Sequence, residues 1–170
     1  INNNPGEWRF YHYLGFIYWQ SKDFKKAAES YKKGSEIAGS PSWMRKMAAK
    51  MTERGGERDT ARAIYQQLFE QAEDSQTKAN AKIRLLQLDS LDERDAINTV
   101  LNRIKSEKGS CPAALRSVLP GLQNMRLPNG KEFRINKDRR LVDPSNVLYL
   151  LDKQSCKAVL DPEKSRIPLK

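Results

Sequence analysis

A chain of 170 residues is one ordinary domain or a compact pair of subdomains, long enough to bury a core. Charged residues make up 31% and hydrophobic ones 38%, which suits a helical protein with much exposed surface, and no apolar run approaches the ~18 residues of a membrane-crossing helix. The formal net charge of +10 favours acidic partners of any kind, whether peptide, nucleic acid or anionic membrane, and does not choose among them.

The opening Ile1-Asn2-Asn3-Asn4-Pro5 has no Met and reads as an excised or processed piece, compatible with a leader or anchor lost upstream. Residues 8–20 predict a first helix, in which Tyr11, Leu14, Gly15 and Tyr18 recur at i, i+3, i+4 and i+7. Ser21-Lys22-Asp23 is a short polar turn, with Asp23 placed to cap a second helix. Gly39 and Pro41 in Ala38-Gly39-Ser40-Pro41 stop that helix. Gly55-Gly56 turns a second helix pair, and Asp89-Ser90 is the expected turn of a third, capped by Ser90 or Asp92.

The pairs repeat. Asp23-Phe24-Lys25-Lys26-Ala27-Ala28-Glu29-Ser30-Tyr31 is echoed by Glu57-Arg58-Asp59-Thr60-Ala61-Arg62-Ala63-Ile64-Tyr65, and more weakly by the stretch 92–100. The anchoring alanines Ala27, Ala61 and Ala96 lie 34 and 35 residues apart. Four residues beyond each stands a larger side chain: Tyr31, Tyr65 and Val100. That spacing puts a small and a large residue on one helical face, so a neighbouring helix can approach closely beside a filled gap.

Beyond Lys108 the helical period fades. Residues 112–119 make a short helix, started by Ser110 or by Pro112 in its first turn and ended by Pro120-Gly121. Pro128-Asn129-Gly130 and Asp143-Pro144-Ser145-Asn146 are turns. Strand-like runs follow at 132–135 and 147–151, and 157–160 completes a hairpin through Asp152-Lys153-Gln154-Ser155. Residues 107–170 carry 13 Lys/Arg against 7 Asp/Glu, a net of +6, while residues 1–106 carry 18 against 14, a net of +4. Cys111 and Cys156 fit either a disulfide in an exported protein or two buried thiols, and both readings stay open. With one His and no CxxC pair, neither a metal site nor a cofactor is expected.

Tyr11, Leu14, Gly15, Tyr18, Ala27, Tyr31, Gly34 and Pro41 carry a resemblance to the tetratricopeptide repeat family. The second copy keeps Ala48, Ala49, Ala61, Tyr65 and Leu68, and the third departs most, with Arg84 where a small residue is usual. The resemblance covers about residues 8–107. It implies a mainly α fold: a helix-turn-helix solenoid of about three repeats at 1–108, followed by a C-terminal cap of one short helix and a β-hairpin at 109–170. The strongly aromatic first helix leaves room for further repeats before it. Residues 141–152, with Asp143-Pro144 and Tyr149, also resemble weakly the closing segment of type II secretion pseudopilins, although Asn146 stands in the region of that segment's glycine. This second resemblance points toward a bacterial setting, either cytoplasm or the periplasmic side of an envelope.

In the tetratricopeptide family the first helix of each pair lines a concave groove. Carried over, the groove rows are Arg9, His12, Tyr13, Phe16 and Trp19; then Trp43, Lys46, Met47 and Lys50; then Lys78, Lys82 and Leu85. Aromatics beside a ladder of lysines fit an extended acidic or amphipathic segment of another protein. Some members clamp a C-terminal carboxylate with basic and Asn residues. Lys78 and Lys82 suit the basic half, but Phe16 and Met47 occupy the expected Asn positions, so the full clamp is missing. Tyr13, Phe16 and Trp19 fit equally a packing role against an upstream repeat or the folded-back tail.

His12 has no Ser or Cys nucleophile at a recognisable spacing, and Gly55-Gly56 lacks the Lys-Ser/Thr of a phosphate loop. The expected function is therefore a non-enzymatic scaffold or adaptor. The alternative is binding of nucleic acid or an anionic surface by Lys131, Arg134, Lys137, Arg139 and Arg140, with Phe133 and Tyr149 as stacking residues.

Overall fold

Helices form where apolar rows are bounded by capping groups. The structure, a computed structural model, describes residues 7–169, so the processed start expected at residues 1–5 lies outside the described residues. The chain divides into two compact units, Ile1–Lys82 and Ile83–Lys170. Six α-helices and one two-stranded antiparallel sheet make up the regular structure among the described residues.

The first unit holds α1 (Glu7–Gln20), α2 (Phe24–Ser35), α3 (Trp43–Arg54), α4 (Arg58–Gln71) and the start of α5 (Ser75–Lys108). From α1 to α4, each helix packs on the next. Between α1 and α2 the chain turns at Lys22, with φ 61°, and the Asp23 side chain accepts a hydrogen bond from Lys26 N at 3.1 Å, capping α2 as expected. Between α3 and α4 the turn needs Gly56, whose φ of +88° is open to glycine at little cost. Asp74 accepts from Thr77 N at 2.7 Å and starts α5. The core gathers Ala27, Tyr31, Met44, Ala48 and Met51, with Tyr11 and Tyr18 packed against it. Ala61 and Tyr65, the second copy of the repeated pair, are buried like Ala27 and Tyr31.

The third copy differs. No turn forms at Asp89-Ser90, and α5 runs unbroken for 34 residues. Neither Gly nor Pro interrupts it. The polar residues that resemble a turn and cap are instead helix-interior groups: Asp89, Ser90, Asp92 and Glu93 are all buried. Ala96 is only half-buried, and Ile97, Val100 and Leu101 carry the packing in its place. Two helix pairs are therefore followed by one long helix, and the boundary between the units falls after Lys82, where a boundary at Lys108 was expected.

In the second unit, residues 109–169 fold onto the C-terminal part of α5. A short 3-10 helix, Leu115–Val118, leads into α6 (Leu119–Leu122). Pro120 sits in the first turn of α6, so Pro120-Gly121 lies inside a helix it was expected to end. The hairpin forms as expected: β1 (Leu150–Asp152) pairs antiparallel with β2 (Lys157–Val159), setting Leu151 opposite Ala158. The run at 132–135 gives only an isolated bridge, Ile135 to Leu141. Val118, Leu122, Leu141, Tyr149, Ala158 and Leu160 bury themselves against Ile97, Val100 and Leu101 of α5. Cys111 and Cys156 form a disulfide, which decides between the two readings left open. Asp143, fully buried, accepts hydrogen bonds from Ser145 N at 2.7 Å and Val147 N at 3.0 Å and so shapes the turn in which Asn146 takes a φ of 65°. No helix among the described residues is long and apolar enough to cross a membrane.

Candidate functional site

In the first unit, ring and ammonium contacts join α1 to α3, and a hydrogen bond joins α3 to the first turns of α5. On α1, His12 meets Trp43 of α3 edge to face at 5.0 Å, and Trp43 in turn meets Trp8 at 5.9 Å. Lower on the same helices, Trp19 takes two cations of α3 over its ring, Lys50 Nζ at 5.9 Å and Arg54 Cζ at 5.5 Å from the centroid. Lys46 of α3 reaches α5, donating to Thr77 Oγ1 at 2.9 Å. That places its ammonium near Asp74, whose carboxyl is held below the usual range chiefly by its hydrogen bonds to Thr77 and secondarily by Lys46.

Several sequence-expected residues therefore come together: His12, Trp19, Trp43, Lys46 and Lys50. Arg9, Tyr13 and Phe16 stand beside them on the exposed side of α1, with Tyr13 64% exposed. Phe16 leans edge-on against Trp19 at 6.0 Å. Met47 is half-buried against the core. On α5, Lys82 is exposed, whereas Lys78 lies over Phe69 of α4 at 5.2 Å and is drawn to one side. Leu85 belongs to the second unit. Arg54 and Thr77 are additions to the expected set. Arg54 follows Lys50 by one helical turn, a spacing that could have drawn attention to it, but nothing local marks Thr77.

The basic residues of 131–140 do not form one surface. Lys131 Nζ donates to Asp89 Oδ2 at 2.6 Å, and Arg134 pairs with both Glu93 and Asp89. Asn129 also donates to Asp89, at 2.9 Å. Tyr149 was expected as a stacking residue. It is buried instead, with its hydroxyl donating to Glu93 Oε2 at 2.7 Å and lying 3.2 Å from Ser90 Oγ. Burial pushes the Glu93 carboxyl up to about 7, against the opposing pull of Tyr149 and Arg134, and holds the Tyr149 phenol well above its usual range. Of the five cations, Lys137, Arg139 and Arg140 remain exposed and free of this buried cluster.

No family model, curated protein or solved structure matches the chain.

Proposed function

We propose that the chain is a non-catalytic scaffold of tetratricopeptide type that holds an extended acidic segment of another protein across α1, α3 and the first turns of α5. The observation that carries this reading is the joining of three non-consecutive helices by the His12–Trp43, Trp19–Lys50 and Lys46–Thr77 contacts. Alternating first helices lining one surface is what the repeat resemblance implies, and two helix pairs followed by the start of α5 fit it. Rigid rings supply contact area at low entropy cost, while Lys46, Lys50 and Lys82 supply attraction for carboxylates. The Cys111–Cys156 bond supports an oxidising compartment, such as a bacterial envelope. The inward pairing of Lys131 and Arg134 weighs against a nucleic-acid surface at 131–140.

All three tryptophans, Trp8, Trp19 and Trp43, lie in this unit, so their emission reports the face directly. Extended peptides carrying several Asp or Glu and one aromatic residue should shift that emission, and analogues with Lys for each acid should not. The double variant Lys46→Glu with Lys82→Glu should weaken acidic-peptide binding by about tenfold or more at low salt, and added salt should weaken the wild type. Tyr13→Ala tests the contact area in the same assay. Equal affinity of the wild type and the double variant would sink the reading.

A further inference from the structure

The second unit contains a cavity of about 310 Å³ between α6 and the chain at 131–139, well away in sequence from the aromatic face of α1 and α3. Part of its wall is apolar: Leu119, Met125 and Phe133 line it and are half-buried, and Ile135, also in the lining, is 51% exposed. Its rim is cationic. Arg126 and Arg139 both line it and both are exposed, and neither makes an ion pair among the described residues. Lys131 lines it too, although its ammonium is committed to Asp89. Glu132 is the acid in the lining, so the wall keeps an excess of positive charge. The size is at the lower end for small-molecule pockets, about 300 to 1,000 Å³.

We infer that this cavity binds a small amphiphilic anion, a medium-length hydrocarbon chain ending in a carboxylate, with the chain against Leu119, Met125, Phe133 and Ile135 and the carboxylate between Arg126 and Arg139. A guanidinium presents a planar fork of donors that matches a carboxylate, and its weak hydration lets it sit beside apolar surface. The apolar side chains of the wall gain from covering by a hydrocarbon chain, whereas a short anion would leave Ile135 and Phe133 in water. Charge and shape thus ask for both halves of the ligand. A neutral or cationic amphiphile satisfies the apolar side chains only, and acetate satisfies the rim only.

Decanoate, kept below its micelle concentration, is the probe. Titration into the disulfide-intact protein, followed by calorimetry and by backbone amide NMR shifts at 119–139, should show one saturable site. Acetate and decyltrimethylammonium should each bind at least about tenfold more weakly. Arg126→Gln and Arg139→Gln should each weaken decanoate by about tenfold while leaving the circular dichroism unchanged, because both side chains are exposed. Ile135→Ser should weaken decanoate without touching the charged rim. Equal binding of decyltrimethylammonium, or decanoate affinity unchanged in all three variants, would overturn the proposal. Binding to anionic phosphatidylglycerol vesicles without binding to free decanoate would overturn it too, since the surface would then be reading a membrane rather than holding a single molecule.

Discussion

Gly15 of α1 and Tyr31 of α2 share a space with no room for a methyl group: a Cβ on Gly15 would stand 2.8 Å from the Tyr31 ring. Tyr31 is fully buried and hemmed in by the core, so the ring has nowhere to retreat. Gly15→Ala therefore sets two effects against each other. Alanine gains up to about 1 kcal/mol of helix propensity, while overpacking costs about 1 to 3 kcal/mol, and overpacking should win. Urea unfolding monitored by tryptophan emission should show the variant less stable; a gain would mean that α1 and α2 are not this close. The same close approach makes Gly15 stand out in the sequence itself: small beside large, at helical spacing, is how close-packed helices announce themselves.

Glu93 sets a second balance. Buried beside Tyr149, Ser90, Asp89 and Arg134, its carboxyl holds its proton more tightly in the fold than in the unfolded chain, with a value raised from 4.5 to about 7. The stability this group contributes is thus fully present below pH 4.5 and is lost as pH rises through about 7. Unfolding of the second unit should need less urea at pH 8 than at pH 5, and Glu93→Gln should flatten that difference. Greater stability at pH 8 in the wild type would show that the Arg134 ion pair outweighs burial.

At the scale of elements, α1 to α4 were legible because each turn announces itself locally: a capping aspartate at Asp23, a glycine at Gly56. The hairpin was legible for the same reason, with its polar stretch Asp152-Lys153-Gln154-Ser155 between two apolar runs. The long helix α5 was not. Asp89, Ser90 and Glu93 look like a solvated turn until Lys131, Arg134 and Tyr149 are seen, and those partners lie between 40 and 60 positions further on. A local pattern carries no trace of them. The candidate face was half legible: the repeat resemblance points to rows on α1 and α3, but the Lys46–Thr77 link depends on how α5 is placed. For the cavity at 119–139 there was no signal, since it rests on side chains from an unpatterned stretch. The disulfide belongs to this scale too. Closing a loop of 45 residues, it should stabilise the second unit by about 4 kcal/mol in the loop-entropy account. Reduction, or the Cys111→Ser with Cys156→Ser pair, should speed hydrogen exchange at the β1–β2 amides; unchanged exchange would show that the core around Tyr149 suffices alone.

For the whole molecule, the positive charge is shared out. Residues 1–82 carry 14 Lys/Arg against 10 Asp/Glu and residues 83–170 carry 17 against 11, nets of +4 and +6. Long-range attraction would therefore draw an acidic partner to either unit, and selection must come from contacts at short range. The two proposed sites make this distinction testable within one protein. Lys46→Glu with Lys82→Glu should leave decanoate binding intact, and Arg126→Gln should leave acidic-peptide binding intact. If both ligands respond to both changes, charge alone is being read.

The cysteine bond also imposes a timetable on the birth of the molecule. A ribosome adding about 5 to 20 residues per second needs roughly 2 to 9 s to pass from the first cysteine to the second, 45 positions on. If the chain enters an oxidising compartment as it is made, Cys111 stands there through that interval as a thiol without its partner, open to exchange with other disulfides. On that route the nascent chain either stays reduced until Cys156 has emerged or is rescued by thiol exchange afterwards, and its yield should then depend on isomerase supply.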